Sequence, residues 1–314
     1  MTSDDRNQNG IARRDFIKQA AVAGTVVSSS DALANIARAD EPKSGGQGNP
    51  VEVFNQYAVD LEKLISLRTY PIGIKFLNGE AEIPQDAIRP RKDRGEHYAM
   101  CQVFALARRQ GMTLAMFLED HWCFEPVISY GLVEPPQDYL EGFTNSFFIA
   151  NKEAAAKHAR ETTRIPFRKY AGMVVGPLKN AKFVPDLAMI YSNTAQLRHL
   201  LLSLRYMNGT QVTSTLDPIG SCVHSVVPSL LKGECYVTVP DPGDYERAMA
   251  QEDEMILTVP ARRMKELMDG ISHFEKSNMG FRRFSYAVKA DFQQPQFYQD
   301  YFKKWGLGSS KGSK

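Results

Sequence analysis

Two short groupings of the same side chains, nearly a hundred residues apart, place the strongest constraint on the fold. The first is Glu119–Asp120–His121–Trp122–Cys123–Phe124–Glu125–Pro126, with three carboxylates, an imidazole and a thiol ahead of a proline. The second, Gly220–Ser221–Cys222–Val223–His224, carries the His/Cys pair in reverse order. Residues two apart share a face on a strand but oppose one another on a helix, and an irregular loop permits either. For both groupings to serve one soft-ligand site, with Cys101 nearby, the fold must join three distant segments. The competing reading is two unrelated core cysteines with incidental histidines.

The first residues match a twin-arginine signal: Ala12–Arg13–Arg14–Asp15–Phe16–Ile17–Lys18, then a mildly apolar run from Ala20 to Val27. That run is too short and too polar to span a bilayer. Small-x-small cleavage options follow at Ala32–Leu33–Ala34 and Ala37–Arg38–Ala39. Residues 1–39 are therefore expected to be a signal peptide, the twin-arginine translocase a partner, and the mature chain exported to the periplasm with no stable membrane span. Because that pathway carries folded proteins, it suits one that takes up a metal or redox cofactor before crossing.

With 38 Lys and Arg against 36 Asp and Glu, the chain offers no electrostatic case for nucleic acid or a membrane surface. Its four cysteines are Cys101, Cys123, Cys222 and Cys235. In an exported chain they could also pair as disulfides. No C-x-x-C is present, which argues against a zinc ribbon, a thioredoxin-type pair and covalent haem.

Residues 40–50 read as a flexible lead and 51–305 as a single domain, with a Gly/Ser/Lys tail at 306–314. Periodicity predicts a helix over 53–67, a strand over 72–77 ending at Asn78–Gly79, and a helix over 101–110 closed by Gly111. Further helices follow after Asn151, after Ser192 or Asn193, over 221–231, and from Pro260. Strands are expected at 173–175, 187–191, 235–239 and 255–259. Short strands mixed with helices, without repeats, indicate an α+β or irregular α/β domain. The basic run at 89–94 reads as a solvated loop, with an anion-binding loop as the alternative, and His158 is expected to face solvent. Cys101 and Cys222 are both placed at helix starts, where the helix dipole would favour thiolate. Cys235, on a strand face with Val237 and Val239, reads as a plain core cysteine. The C-terminal third is aromatic (Phe274, Phe281, Phe284, Phe292, Phe297, Tyr298, Tyr301, Phe302 and Trp305), expected to pack on the core or else to dock a partner.

Several chemistries are excluded by pattern: there is no G-x-S-x-G, Walker loop, H-E-x-x-H or G-x-G-x-x-G. Ser229–Leu230–Leu231–Lys232 matches S-x-x-K but lacks its partner motifs, so it reads as an ordinary helix end. The chain resembles the domain-of-unknown-function 169 family, the ArCR-like proteins. The carriers are Tyr70–Pro71–Ile72–Gly73–Ile74–Lys75–Phe76, Cys101–Gln102, Glu119–Asp120 followed by Cys123, Val184–Pro185–Asp186, the Cys222 helix and Met255–Ile256–Leu257–Thr258–Val259–Pro260. Family members typically show Cys-Pro at Cys123–Phe124, and a later cysteine near a strand end where this chain has Val239 to Asp241. The resemblance implies a fold and a site location, and no activity comes with it.

These readings converge on an exported, redox-related protein. Cys101, Cys123 and Cys222 would bind an iron–sulfur cluster or another thiolate-held metal, with His121, His224 or Cys235 completing the set. Asp120 or Glu125 would serve as outer acceptor or proton carrier. A redox protein would be its partner. The alternatives are a non-catalytic protein binding a small anion at 89–94, and an accessory subunit docking an exported oxidoreductase through its aromatic C-terminal face.

Overall fold

A computed structural model describes residues 49–146, 148–215, 217, 220–281 and 294–307, excluding the side chains of 143–146. The signal segment 1–39, most of the 40–50 lead, Phe284, Phe292 and residues 308–314 of the tail lie outside the described residues. The fold is α+β: a mixed seven-stranded sheet with helices on both faces.

In chain order the domain opens with α1 (Pro50–Ile65), capped by the Asn49 side chain. Next come β1 (Ile72–Leu77), α2 (Pro90–Arg94), α3 (Met100–Gln110) and β2 (Leu114–Phe117). Three helices follow, α4 (Phe124–Ser129), α5 (Tyr139–Ser146) and α6 (Lys152–Glu161), the last capped by Asn151. After them run β3 (Gly172–Pro177), β4 (Leu187–Asn193), α7 (Thr194–Asn208) and the short β5 (Thr213–Ser214). The final third holds α8 (Ser221–His224), α9 (Val226–Lys232), β6 (Tyr236–Thr238), α10 (Pro242–Glu246), β7 (Glu254–Pro260), α11 (Ala261–Lys276) and α12 (Gln296–Lys304).

The strands order as β2-β3-β1-β4-β7-β6-β5, antiparallel except for the β5–β6 edge pair. Alternation along central strands sends side chains to two cores. Ile72, Ile74 and Phe76 of β1 and Leu187, Met189 and Tyr191 of β4 meet α3, α8 and α9. On the opposite face Ala188, Ile190, Leu257 and Val259 meet α1, α7 and α11. Burying each such aliphatic side chain contributes about 1.5–3 kcal/mol. The second layer closes at Gly270, where an added Cβ would lie 2.1 Å from the Ser203 carbonyl oxygen. Only a residue without a side chain lets α11 approach α7 so closely.

Three expectations need correction. The helix anticipated over 221–231 is broken between His224 and Val226. Pro228 has no N–H, and its ring clashes with the carbonyl of residue 224 in a continuous helix. That carbonyl instead accepts from the Thr215 hydroxyl, and Ser225 Oγ donates to the Ser221 carbonyl at 2.8 Å. The basic run is not a loop: Pro90 starts α2, Gly95 ends it in the left-handed conformation, and Arg89 is buried. Its Nε donates to Asp120 Oδ2 at 2.9 Å and its Nη1 to Glu80 Oε1 at 2.8 Å, while Nη2 pairs with Glu119. Finally, α12 buries none of its side chains, leaving Phe297, Tyr298, Tyr301, Phe302 and Trp305 exposed. Phe274 does pack into the core.

Candidate functional site

Cys101 is the second residue of α3, Cys123 the residue that precedes α4, and Cys222 the second residue of α8. The α4 and α8 helices pack together, and α10 packs on α3. This contact pattern brings the three thiols within electrostatic reach of one another. Cys222 feels the charges of Cys101, Cys123, Asp241 and Glu125, and Cys101 those of Asp244, Asp241 and Cys123. Tyr130, fully buried beneath them, donates its hydroxyl to the Cys222 carbonyl at 2.9 Å. All four cysteines of the chain are free thiols.

Electrostatics at these thiols runs opposite to the helix-dipole expectation. Burial, followed by nearby carboxylates, pushes Cys101 and Cys123 up to about 12. Cys222 is raised well above the ordinary thiol value by the same causes. A helix terminus offers about 0.3–2 kcal/mol in favour of thiolate, less than loss of hydration takes away in so enclosed a place. Thiols held in this form are poor nucleophiles at neutral pH. A bound cation would reverse the balance, since thiolate ligands are deprotonated on coordination.

The remaining predicted residues separate. Glu125, in the first turn of α4, faces the thiols and raises Cys123. Asp120 does not join them: it is completely buried and accepts from Arg89, from the Arg91 amide at 2.8 Å and from the Phe117 amide at 2.9 Å. These bonds anchor α2 to β2. His121 is 8% exposed, and neither ring nitrogen has a hydrogen-bond partner among the described residues. Burial drops its pKa to about 4, and its ring lies edge-on to Tyr130 at 6.1 Å. Cys235 sits on the opposite face of the sheet among α7 and α11 side chains, away from the other thiols.

His224 departs from Cys222 altogether. On a helix, residues two apart point to opposite sides, and His224 Nε2 lies 3.6 Å from Asp217 Oδ2. His158, expected in solvent, reaches the same oxygen at 2.9 Å from α6. The two imidazoles lie 5.3 Å apart between centroids.

Reasoning from sequence missed Asp241 and Asp244. Asp241 precedes α10 and accepts from the Asp244 amide, while Asp244 accepts from the Asp241 amide at 2.9 Å. The Asp-Pro-Gly-Asp order, with Asp at the cap and at the third helical position, is the signal that could have revealed this reciprocal cap. Asp244 is 2% exposed, and its pKa rises to about 7 through burial and the adjacent Asp241. Missed too was Arg108, whose guanidinium forks onto Glu254 with two 2.9 Å bonds and stacks 3.9 Å over Tyr191 behind the thiols.

No solved structure matches the chain significantly. An uncharacterized protein of Methanocaldococcus jannaschii is 21% identical over 232 residues, spanning 72% of this chain and 97% of that protein. The family described as DUF169, uncharacterised ArCR, matches residues 60–270, a span that contains every thiol and carboxylate of the pocket. On that match, the chain belongs to the DUF169 family.

Proposed function

We propose that this chain, exported by the twin-arginine pathway, holds an iron–sulfur cluster or another thiolate-bound metal and works in electron transfer. Cys101, Cys123 and Cys222 are the three thiolate donors, and the Asp241 carboxylate is the fourth ligand. The observation behind this reading is that three thiols from segments up to 121 residues apart act electrostatically on one another, with Asp241 and Glu125 close enough to join them. Asp241 falls in the stretch where related chains resemble one another in having a later cysteine.

The spacing does not match a single preformed tetrahedral zinc site. A tetrahedral ion with bonds of about 2.3 Å to sulfur draws its ligand atoms to roughly 3.8 Å of one another. Among the described residues, the three sulfurs do not all lie within 4.8 Å of one another. A cluster spreads its cysteines over different iron atoms and asks for wider spacing. Cys101 and Cys123 are partly exposed, and Trp122 beside Cys123 is 68% exposed. That supports electron exchange with a docked redox protein. A second reading, an accessory subunit of an exported oxidoreductase, is favoured by the exposed aromatic face of α12.

Anaerobic reconstitution with iron and sulfide tests the proposal through metal and sulfide content and the visible spectrum. The wild type and Cys235→Ser are expected to take up a cluster, while Cys101→Ser, Cys123→Ser and Cys222→Ser are expected to lose it. No uptake by the wild type, or equal uptake by a variant lacking all three thiols, would overturn it.

A further inference from the structure

We propose that His158, Asp217 and His224 form a second, independent site for a divalent transition metal of the zinc type, with one coordination position open to a small oxygen ligand. Both imidazoles bring Nε2 close to one oxygen of Asp217, at 2.9 and 3.6 Å. Ligands about 2.0–2.1 Å from a tetrahedral ion lie roughly 3.3 Å apart. The two observed separations bracket that value. Among the described residues, this is the one set of three metal-ligating side chains whose donor atoms all lie within 4.8 Å of one another.

The three donors come from different elements, so chance proximity along one helix does not explain them. His158 lies in the last turn of α6, Asp217 in the connection after β5, and His224 at the end of α8. The Pro228-imposed break after His224 ends α8 there, and Thr215 holds its carbonyl. Two imidazoles with one carboxylate select zinc, iron(II), cobalt or nickel over magnesium and calcium. Three protein ligands with a vacant position are the pattern of sites that bind and activate water, whereas closed structural sites use four.

Space for that fourth ligand is present. The histidines line a cavity of about 240 Å³ bordered by Thr162, Thr213, Thr215 and Lys232. Thr162 and Thr215 donate their hydroxyls to the His158 and His224 carbonyls and so leave only oxygen lone pairs. With Lys232 and Glu161 also on the wall, the cavity suits a bound water. The site is separate from the thiol pocket, with which it shares only α8.

Cobalt(II) titration of the full-length protein tests this, because nitrogen and oxygen ligands give ligand-field bands without thiolate-to-metal charge transfer. One equivalent of such a species is expected, and it should persist in Cys222→Ser. His158→Gln, Asp217→Asn and His224→Gln should each weaken binding by about 100-fold, the upper range for loss of even an outer-shell partner. Should a variant fail to fold, zinc added to the wild type gives an independent reading: NMR should show the two imidazoles shifting together. A histidine–carboxylate ion pair only, with no cobalt species of this type or one untouched by all three substitutions, would overturn the assignment.

Discussion

Asp244 is a buried carboxyl whose titration contributes to the pH dependence of folding. It releases its proton near 3.8 in the unfolded chain but near 7 in the folded one, because burial and Asp241 oppose its charge. Between those values the folded state holds the extra proton, so this residue's contribution is complete below about pH 4. It is lost as pH rises through about 7. His121 acts with the opposite sign. Its folded pKa near 4, below the ordinary 6.5, makes its contribution vanish as pH falls through that window. Asp244→Asn keeps an oxygen for the Asp241 amide and removes the charge. In metal-free protein it is expected to raise the melting temperature at pH 8 and leave it nearly unchanged at pH 4. A fall at pH 8 would mean that the ionised form is the one the neighbouring Arg108 stabilises.

At the scale of elements, the Arg108–Glu254 pair fastens α3 to β7, 146 residues away in sequence. Arg108 is 1% and Glu254 3% exposed, and the guanidinium also donates to the Met249 carbonyl. Removing one partner of so enclosed a pair strands the other charge, at a cost of about 3–5 kcal/mol. Glu254→Leu is therefore expected to lower urea-unfolding stability by that amount. Restoring an apolar match with Arg108→Met should recover much of it, and no recovery in the double variant would place the cost in β7 packing. Most elements were legible because their ends carry local signals: Asn151 and Asn193 accept from helix amides, and Gly111, Gly209 and Gly233 adopt left-handed closures. The residue types of Cys101, Cys123 and Cys222 raise a shared site as one of two readings, the other being unrelated core cysteines. The structure shows that the three act electrostatically on one another. What escaped notice depends on partners distant in sequence. Arg89 reads as one more exposed cation until Glu80, Glu119 and Asp120 are placed around it. His158 and Asp217 carry no shared motif across 59 residues.

For the molecule as a whole, the proposed cofactor pocket draws on α3, α4, α8 and α10, from four separate stretches of chain. An extended chain does not present such a site, so a metal held there would be taken up as the chain folds or afterwards. On the proposal above, this would tie the site to the arginine pair at Arg13 and Arg14, read as the signal of an export route that carries folded cargo. Among the described residues no helix is long and apolar enough to cross a membrane. Replacing Arg13 and Arg14 together by lysine is expected to leave the precursor at full length inside the cell. The exported wild type should instead begin after Ala34 or Ala39. The retained precursor should carry as much metal as the exported protein, because loading precedes transport. Cell fractionation with mass spectrometry and metal analysis reads all three quantities. Normal export of the double-lysine variant would separate the pocket from the pathway. Export dependent on the arginines, with metal found only outside, would place loading after transport and remove the link between folding and route.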